Sequence, residues 1–391
     1  MPLQISSLLS EDERAHLSES AIGGQDDGCW LPRRHQRVIW VVIDALRFDF
    51  ARWSDDGGID GPTAFYHNKL PVLHEVLQAG RGRGLHSGND TAAPGGRAML
   101  YKFEADPPTV TMQRLKGLTT GALPTFIDFR NNFHSPQIEE DNWVQQAAAL
   151  GMPLVFMGDD TWASLFPSQF QRAFPFPSFN TRDLHTVDDG VLARLPAELA
   201  ARDWRVLVAH FLGVDHVGHT HGPATRAMAD KLAQMDAALR AVLAAADAAR
   251  ALVLVMGDHG MTEDGNHGGA TAAETDAALL LGGRGAGGGV RSGGVREARG
   301  AAFQVDLVPT LSLLMGLPIP FGSLGGVLPE LFAGPYAHER QPKGTGGPPQ
   351  SSWRYNEADA YGEPRKHTYW YCRSPPISCY HCHSPPTSCD L

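Results

Sequence analysis

Hydrophobic and polar positions fall into blocks along the chain. RVIWVVI (37–43) is a continuous β-branched run that stops at Asp44, and it predicts a strand buried on both faces. PLVFM (153–157), RVLVAHFL (205–212) and ALVLVM (251–256) have the same character, and each is followed within three residues by an aspartate. Between the third and fourth runs, residues 224–250 are rich in helix formers, with Met228, Leu232, Met235, Leu239 and Leu243 at helical spacing. Buried strands alternating with helices predict an α/β fold, with a mostly parallel central sheet covered by helices on both faces. Ligands bind such sheets at the carboxyl ends of the strands, so the aspartates are expected along one functional edge.

The pattern divides the chain. Residues 1–36 read as a polar leader, and 37–335 as the organised catalytic-type domain. Within that domain GGRGAGGGVRSGGVREAR (282–299) reads as a flexible Gly/Arg loop. Residues 336–391 turn to Pro, Gly, Ser and Cys, close on the echo CRSPPISC and CHSPPTSC, and are expected to be disordered.

Composition narrows the function classes. Of 391 residues 42% are hydrophobic and 19% charged, a globular balance. The net charge is −10, which argues against a nucleic-acid partner bound through phosphates. No apolar run approaches the roughly 18–20 residues that span a bilayer. The first residues lack the pattern of a signal peptide, so a chain without transmembrane or signal segment is expected. Cys29 stands alone, and Cys372, Cys379, Cys382 and Cys389 crowd the last 20 residues, leaving the core without disulfides.

The strand ends carry the candidate chemistry. Asp44 follows the first strand. Asp215 and His219 lie in DHVGHTHG, Asp258 and His259 in GDHG, and His267 in GNHGG. Carboxylate oxygens and neutral imidazoles ligate Zn2+ at about 2.0–2.2 Å. One four-coordinate ion cannot use all six side chains, whereas two ions could, each keeping a position open. Two ions roughly 3.5–4 Å apart clamp the attacking and leaving oxygens of phosphoryl transfer. An isolated histidine is more often an ordinary core or surface residue, so the case rests on three Gly-flanked motifs following buried strands. His210, His216 and His221 are read as supporting, substrate-facing or solvated groups rather than ligands. For a nucleophile, Thr111 sits where the N-cap of a short helix MQRLKGL is expected, and a helix terminus beside a metal favours an alkoxide. A purely structural cap would read the same way. The residues alone imply two-metal phosphoryl or sulfuryl transfer. They leave open a soluble phosphodiesterase or phosphatase and, where the resemblance below makes the chain a truncated isoform, a non-catalytic binding module.

Five segments in order, RVIWVVIDALRFDF, PPTVTMQRLKGLTTGALPTFIDF, VFMGDDTWASLFP, AHFLGVDHVGHTHGP and MGDHGMTEDGNHGG, resemble the GPI ethanolamine phosphate transferase 3 family of the alkaline phosphatase superfamily. The resemblance covers about residues 37–332. It implies an alkaline-phosphatase-like fold with two divalent metal ions, usually zinc. Asp44, Thr111, Asp258 and His259 would surround one ion, and Asp215, His219 and His267 the other. Thr111 would be the nucleophile, with Thr109 in reserve. The implied reaction moves ethanolamine phosphate from phosphatidylethanolamine to the third mannose of a GPI glycolipid precursor, through a phospho-threonine. The implied setting is the luminal face of the endoplasmic reticulum membrane, with a small membrane partner subunit in the full-length form. Family members carry membrane helices that this sequence lacks, which reads as a truncation.

Overall fold

A computed structural model describes residues 35–54, 65–79, 97–123, 137–283, 297–328 and 331–332. The expected leader falls outside these residues apart from 35 and 36, and the tail and all five cysteines fall outside them entirely. In chain order the first half forms β1 (Val38–Ile43), α1 (Phe48–Ala51), α2 (Pro71–Ala79), β2 (Arg97–Glu104), α3 (Thr111–Thr120) and α4 (Trp143–Ala149). There follow β3 (Leu154–Asp159), α5 (Thr161–Leu165), β4 (Arg172–Phe176), α6 (Thr186–Ala201), β5 (Val206–Phe211) and α7 (Gly213–His221). The chain continues through α8 (Arg226–Ala249), β6 (Leu252–Met256), α9 (Ala272–Thr275), β7 (Asp276–Gly283), β8 (Glu297–Phe303) and α10 (Gln304–Met315).

The four β-branched runs are the centre of an eight-stranded sheet of order β4-β3-β5-β1-β6-β7-β2-β8. Strands β4, β3, β5, β1 and β6 are mutually parallel. β7 runs antiparallel to both β6 and β2, and β2 pairs parallel with β8. β1 shows why the runs are continuous. Ile39, Val41 and Ile43 pack into one core with α2, α6, α7 and α8. Val38, Trp40 and Val42 pack into a second core with α3, α4, α5 and α10. Both faces are therefore covered, as the unbroken apolar runs require. α8 begins where Thr225 accepts a hydrogen bond from the Met228 amide and ends at Arg250 in the left-handed conformation.

The strands β2, β7 and β8 were not foreseen. DAALLLGG of β7 and EARGAAF of β8 are rich in alanine and glycine, which carry little strand propensity, and RAMLYKFE of β2 has no run of β-branched residues. They form because β6 offers β7 an edge. Of the expected 282–299 loop, Gly282 and Gly283 belong to β7, residues 297–299 belong to β8, and the rest lies outside the described residues.

Gly158 closes β3 opposite His210 of β5. Its φ is +131°, and a Cβ there would collide with the His210 carbonyl oxygen. Gly158→Ala is expected to cost more than about 2 kcal/mol, read as a lowered urea midpoint at unchanged slope.

Candidate metal centre and nucleophile

The aspartates do collect at the carboxyl edge, each delivered by a different element. Asp44 is the first residue after β1 and is fully buried. Its turn requires the left-handed conformation at Ala45, φ +56°. The Ala45 amide donates to Asp258 Oδ1 at 3.1 Å and ties the loops after β1 and β6 together. Arg47 ties them again, donating to the Met261 carbonyl and to Glu263. Asp215 sits in the first turn of α7, with His219 one turn on, its Nε2 3.4 Å from Asp215 Oδ2.

The side chains form one continuous cluster. His259 Nε2 lies 3.4 Å from Asp44 Oδ1 and 3.5 Å from Asp258 Oδ2. His267 Nε2 lies 3.4 Å from Asp215 Oδ1 and 3.1 Å from His219 Nε2. The rings of His259 and His267 stack at 3.9 Å and join the two halves. Two groupings of ligand atoms result, Asp44 with Asp258 and His259, and Asp215 with His259 and His267. A third, Asp44 with Asp159 and His210, lies beside them. The sequence reading had Asp159 on this edge but gave it no role.

The donor set fits cations. Among the described residues, Asp44 Oδ1, Asp215 Oδ1 and Asp258 Oδ2 are buried without hydrogen-bond partners. Orphaned buried carboxylate oxygens are costly unless something positive satisfies them. The histidines are prepared in the same sense. His259 Nδ1 is 2.9 Å from the Gly260 carbonyl, and His267 Nδ1 is 2.7 Å from the Thr109 carbonyl. A carbonyl only accepts, so Nδ1 carries the hydrogen and each Nε2 turns a lone pair to the cluster. Burial also holds His219, His259 and His267 below their ordinary range, His267 down to about 4, and keeps them neutral. Burial pushes the Asp44 and Asp215 carboxyls up, and neighbouring carboxylates push them further.

Thr111 differs from its expected position by one residue. The N-cap of α3 is Val110, which makes no side-chain cap, and Thr111 is the first helical residue. Its hydroxyl is thereby released from capping. Oγ1 donates to Asp44 Oδ2 at 3.3 Å and lies 3.4 Å from His259 Nε2. Thr109 is fully buried and committed elsewhere: its hydroxyl donates to the Gly269 carbonyl and accepts from the Gly268 amide, both at 2.9 Å. Thr109 thus pins the loop that carries His267. Arg114, one turn into α3, is also buried, donates to Gln304, and is pushed down to about 10 by burial. Gln304 in turn donates to the Asp258 carbonyl at 2.6 Å.

α7 is held by a device that sequence reading passed over. Asp188 Oδ1 accepts from the Leu212 and Gly213 amides at the start of α7. Lys231, buried in α8, donates to its other oxygen at 2.9 Å. A Cβ on Gly213 would strike both partners. Asp188→Ala strands a buried ammonium and uncaps the helix carrying Asp215 and His219. A loss of about 3–5 kcal/mol in chemical denaturation is expected.

Comparison with known proteins places this geometry. A family model described as type I phosphodiesterase / nucleotide pyrophosphatase matches residues 102–275. The chain is 48% identical over 313 residues to the mouse (Mus musculus) GPI ethanolamine phosphate transferase 3 catalytic subunit, covering 80% of this chain and 27% of that protein. It is 42% identical over 310 residues to GPI ethanolamine phosphate transferase 3 of Schizosaccharomyces pombe, covering 78% of this chain and 31% of the relative. The soluble domain of lipooligosaccharide phosphoethanolamine transferase A from Neisseria meningitidis shares the fold at TM-score 0.50 and 13% identity, over 75% of this chain and 92% of that one. The class is therefore an alkaline-phosphatase-like α/β fold. Within it, the chain belongs to the GPI ethanolamine phosphate transferase 3 family. It spans about a quarter of the length of these relatives, 27% of the mouse protein.

Proposed function

We propose that this chain transfers ethanolamine phosphate from phosphatidylethanolamine to a mannose of a GPI precursor, the third by family resemblance, through a phospho-threonine at Thr111. The observation that carries this is the Thr111 hydroxyl, uncapped at a helix start and 3.3 Å from Asp44 Oδ2 and 3.4 Å from His259 Nε2. Asp44, Asp258 and His259 would hold one divalent ion, and Asp215, His219 and His267 a second, zinc being the ion that suits oxygen and imidazole donors. Bound ions supply Lewis-acid charge for the phosphoryl oxygens and lower the pKa of a hydroxyl nucleophile.

The protein's own part follows from the contacts. Asp44 Oδ2 accepts the Thr111 hydroxyl hydrogen and fixes the direction of the oxygen lone pairs. The start of α3 contributes the positive end of its dipole to the incoming phosphate. Thr111 Oγ1 attacks phosphorus, the bond to the diacylglycerol oxygen breaks, and diacylglycerol leaves with a proton. A mannose hydroxyl then attacks the phospho-threonine, gives up its proton, and Thr111 recovers one. The buried neutral histidines offer no imidazolium to compete as acid, so they serve as ligands.

Both substrates are lipids, and each buried CH2 holds them in a bilayer by about 0.8 kcal/mol. Among the described residues no helix is long and apolar enough to cross a membrane. The reaction is proposed to take place at the luminal face of the endoplasmic reticulum membrane, with a small membrane partner subunit as part of the same proposal. The test presents labelled phosphatidylethanolamine and a GPI acceptor in vesicles, with zinc. Label on the acceptor is the expected result. Release of ethanolamine phosphate to water with no labelled glycolipid would overturn transfer and favour hydrolysis, the reading that the phosphodiesterase family description supports.

A further inference from the structure

The outward-facing ring nitrogens divide the histidines around the carboxylates into two kinds. His259 and His267 donate from Nδ1 to backbone carbonyls and present lone pairs at Nε2. His210 is wired the other way. The Trp162 indole Nε1 lies 2.9 Å from His210 Nδ1. An indole N–H can only donate, so Nδ1 is the acceptor and the hydrogen of the neutral ring sits on Nε2. That Nε2 lies 3.3 Å from Asp44 Oδ2, both side chains being fully buried. It makes no hydrogen bond among the described residues, so a small rotation toward Asp44 is its nearest source of satisfaction.

We propose that His210, its tautomer fixed by Trp162, is a positioning residue that donates Nε2–H to Asp44 Oδ2. Asp44 Oδ2 then takes the hydrogens of Thr111 and His210, and Oδ1, which has no hydrogen-bond partner among the described residues, is left for a cation. The grouping of Asp44, Asp159 and His210 has the composition of a metal site. A nitrogen that carries its hydrogen has no lone pair in the ring plane, so this grouping is a support for Asp44 and not a third ion site. Trp162 is itself locked, its ring 5.8 Å edge-on from Trp40 and 5.9 Å from Phe156. The wiring runs from the aromatic core through His210 to the carboxylate that faces the nucleophile. The consequence for Asp44 rests on the metal-site reading above, whereas the tautomer does not.

Two measurements on the full chain separate these. In metal-free protein labelled with 15N-histidine, long-range 1H–15N correlations should show His210 Nδ1 unprotonated and Nε2 protonated. Trp162→Phe should leave a mixture of tautomers. The opposite tautomer in the wild-type chain overturns the proposal without any variant having to fold. In zinc competition against a chromophoric chelator, His210→Leu is expected to lose about ten- to hundredfold in affinity. His210→Gln, whose amide N–H reaches to about the same place, should stay within roughly threefold of wild type. Equal losses in both variants, no loss in His210→Leu, or 113Cd coupling to a His210 nitrogen would each overturn it. A wild-type chain that binds no zinc while showing the expected tautomer would instead sink the metal-site reading.

Discussion

Thr111→Ala is expected to abolish transfer, by a thousandfold or more, on the order of what removal of a covalent nucleophile costs. Zinc binding should persist, because the carboxylates and imidazoles remain. Thr109→Ala separates the two threonines. Thr109 is buried, and its hydroxyl joins Gly268 and Gly269. Its loss should cost about 1–3 kcal/mol of stability, since two buried backbone groups lose their partner. Activity should fall through a slackened His267 rather than through lost chemistry. Quenched-flow trapping with labelled lipid followed by peptide mapping is the direct measurement. Label on Thr111 is expected, and label on Thr109 would show that the hydroxyl bound into the loop exchanges places with the one beside Asp44.

Asp44→Asn should act on stability and on metal binding with opposite signs. Burial, reinforced by Asp258 and Asp159, raises the Asp44 carboxyl well above its ordinary 3.8. The folded metal-free chain therefore holds a proton that the unfolded chain releases, and the Asp44 contribution to stability falls as pH rises above about 4. The amide carries no charge and escapes this loss. Metal-free Asp44→Asn should be more stable than wild type at neutral pH by about 1–3 kcal/mol, and its advantage should shrink as pH is lowered toward 4. Taking the difference between variant and wild type removes the opposing contribution of the histidines, whose lowered values add stability as pH rises to their ordinary 6.5. With zinc the order should reverse. Saturating wild type at a hundred times its Kd adds about 2.7 kcal/mol, which the variant forgoes along with its activity. Thermal unfolding with chelator and with zinc, at several pH values, checks both signs. A variant less stable than wild type under chelator would mean that the folded metal-free chain keeps Asp44 ionised and paired, with no raised pKa.

The sequence by itself determined the centre of this molecule. β1, β3, β5 and β6 were legible because strands buried on both faces must be apolar at every position, and few other structures demand that. The long helix α8 was legible from its helical spacing. The edge of the sheet bearing Asp44, Asp215 and Asp258 followed from those strands, since a parallel strand delivers its next residues to one side. The tertiary structure alone decided the rest. Strands β7 and β8 lack propensity of their own, β2 lacks the β-branched run of the central strands, and all three pair where a neighbouring edge is available, a contact between residues far apart in the chain. Only the structure shows that the Thr109 hydroxyl is spent on the Gly268–Gly269 loop while that of Thr111 faces Asp44. Both follow a proline-rich turn, and no local pattern tells a committed hydroxyl from an uncommitted one. The ring nitrogens of His210 and His267 differ in what stands behind each ring, an indole N–H in one case and a carbonyl in the other. A histidine's tautomer is set by a partner that packing brings to it, Trp162 from 48 residues away, so the three-letter code at position 210 carried the ring but not its chemistry.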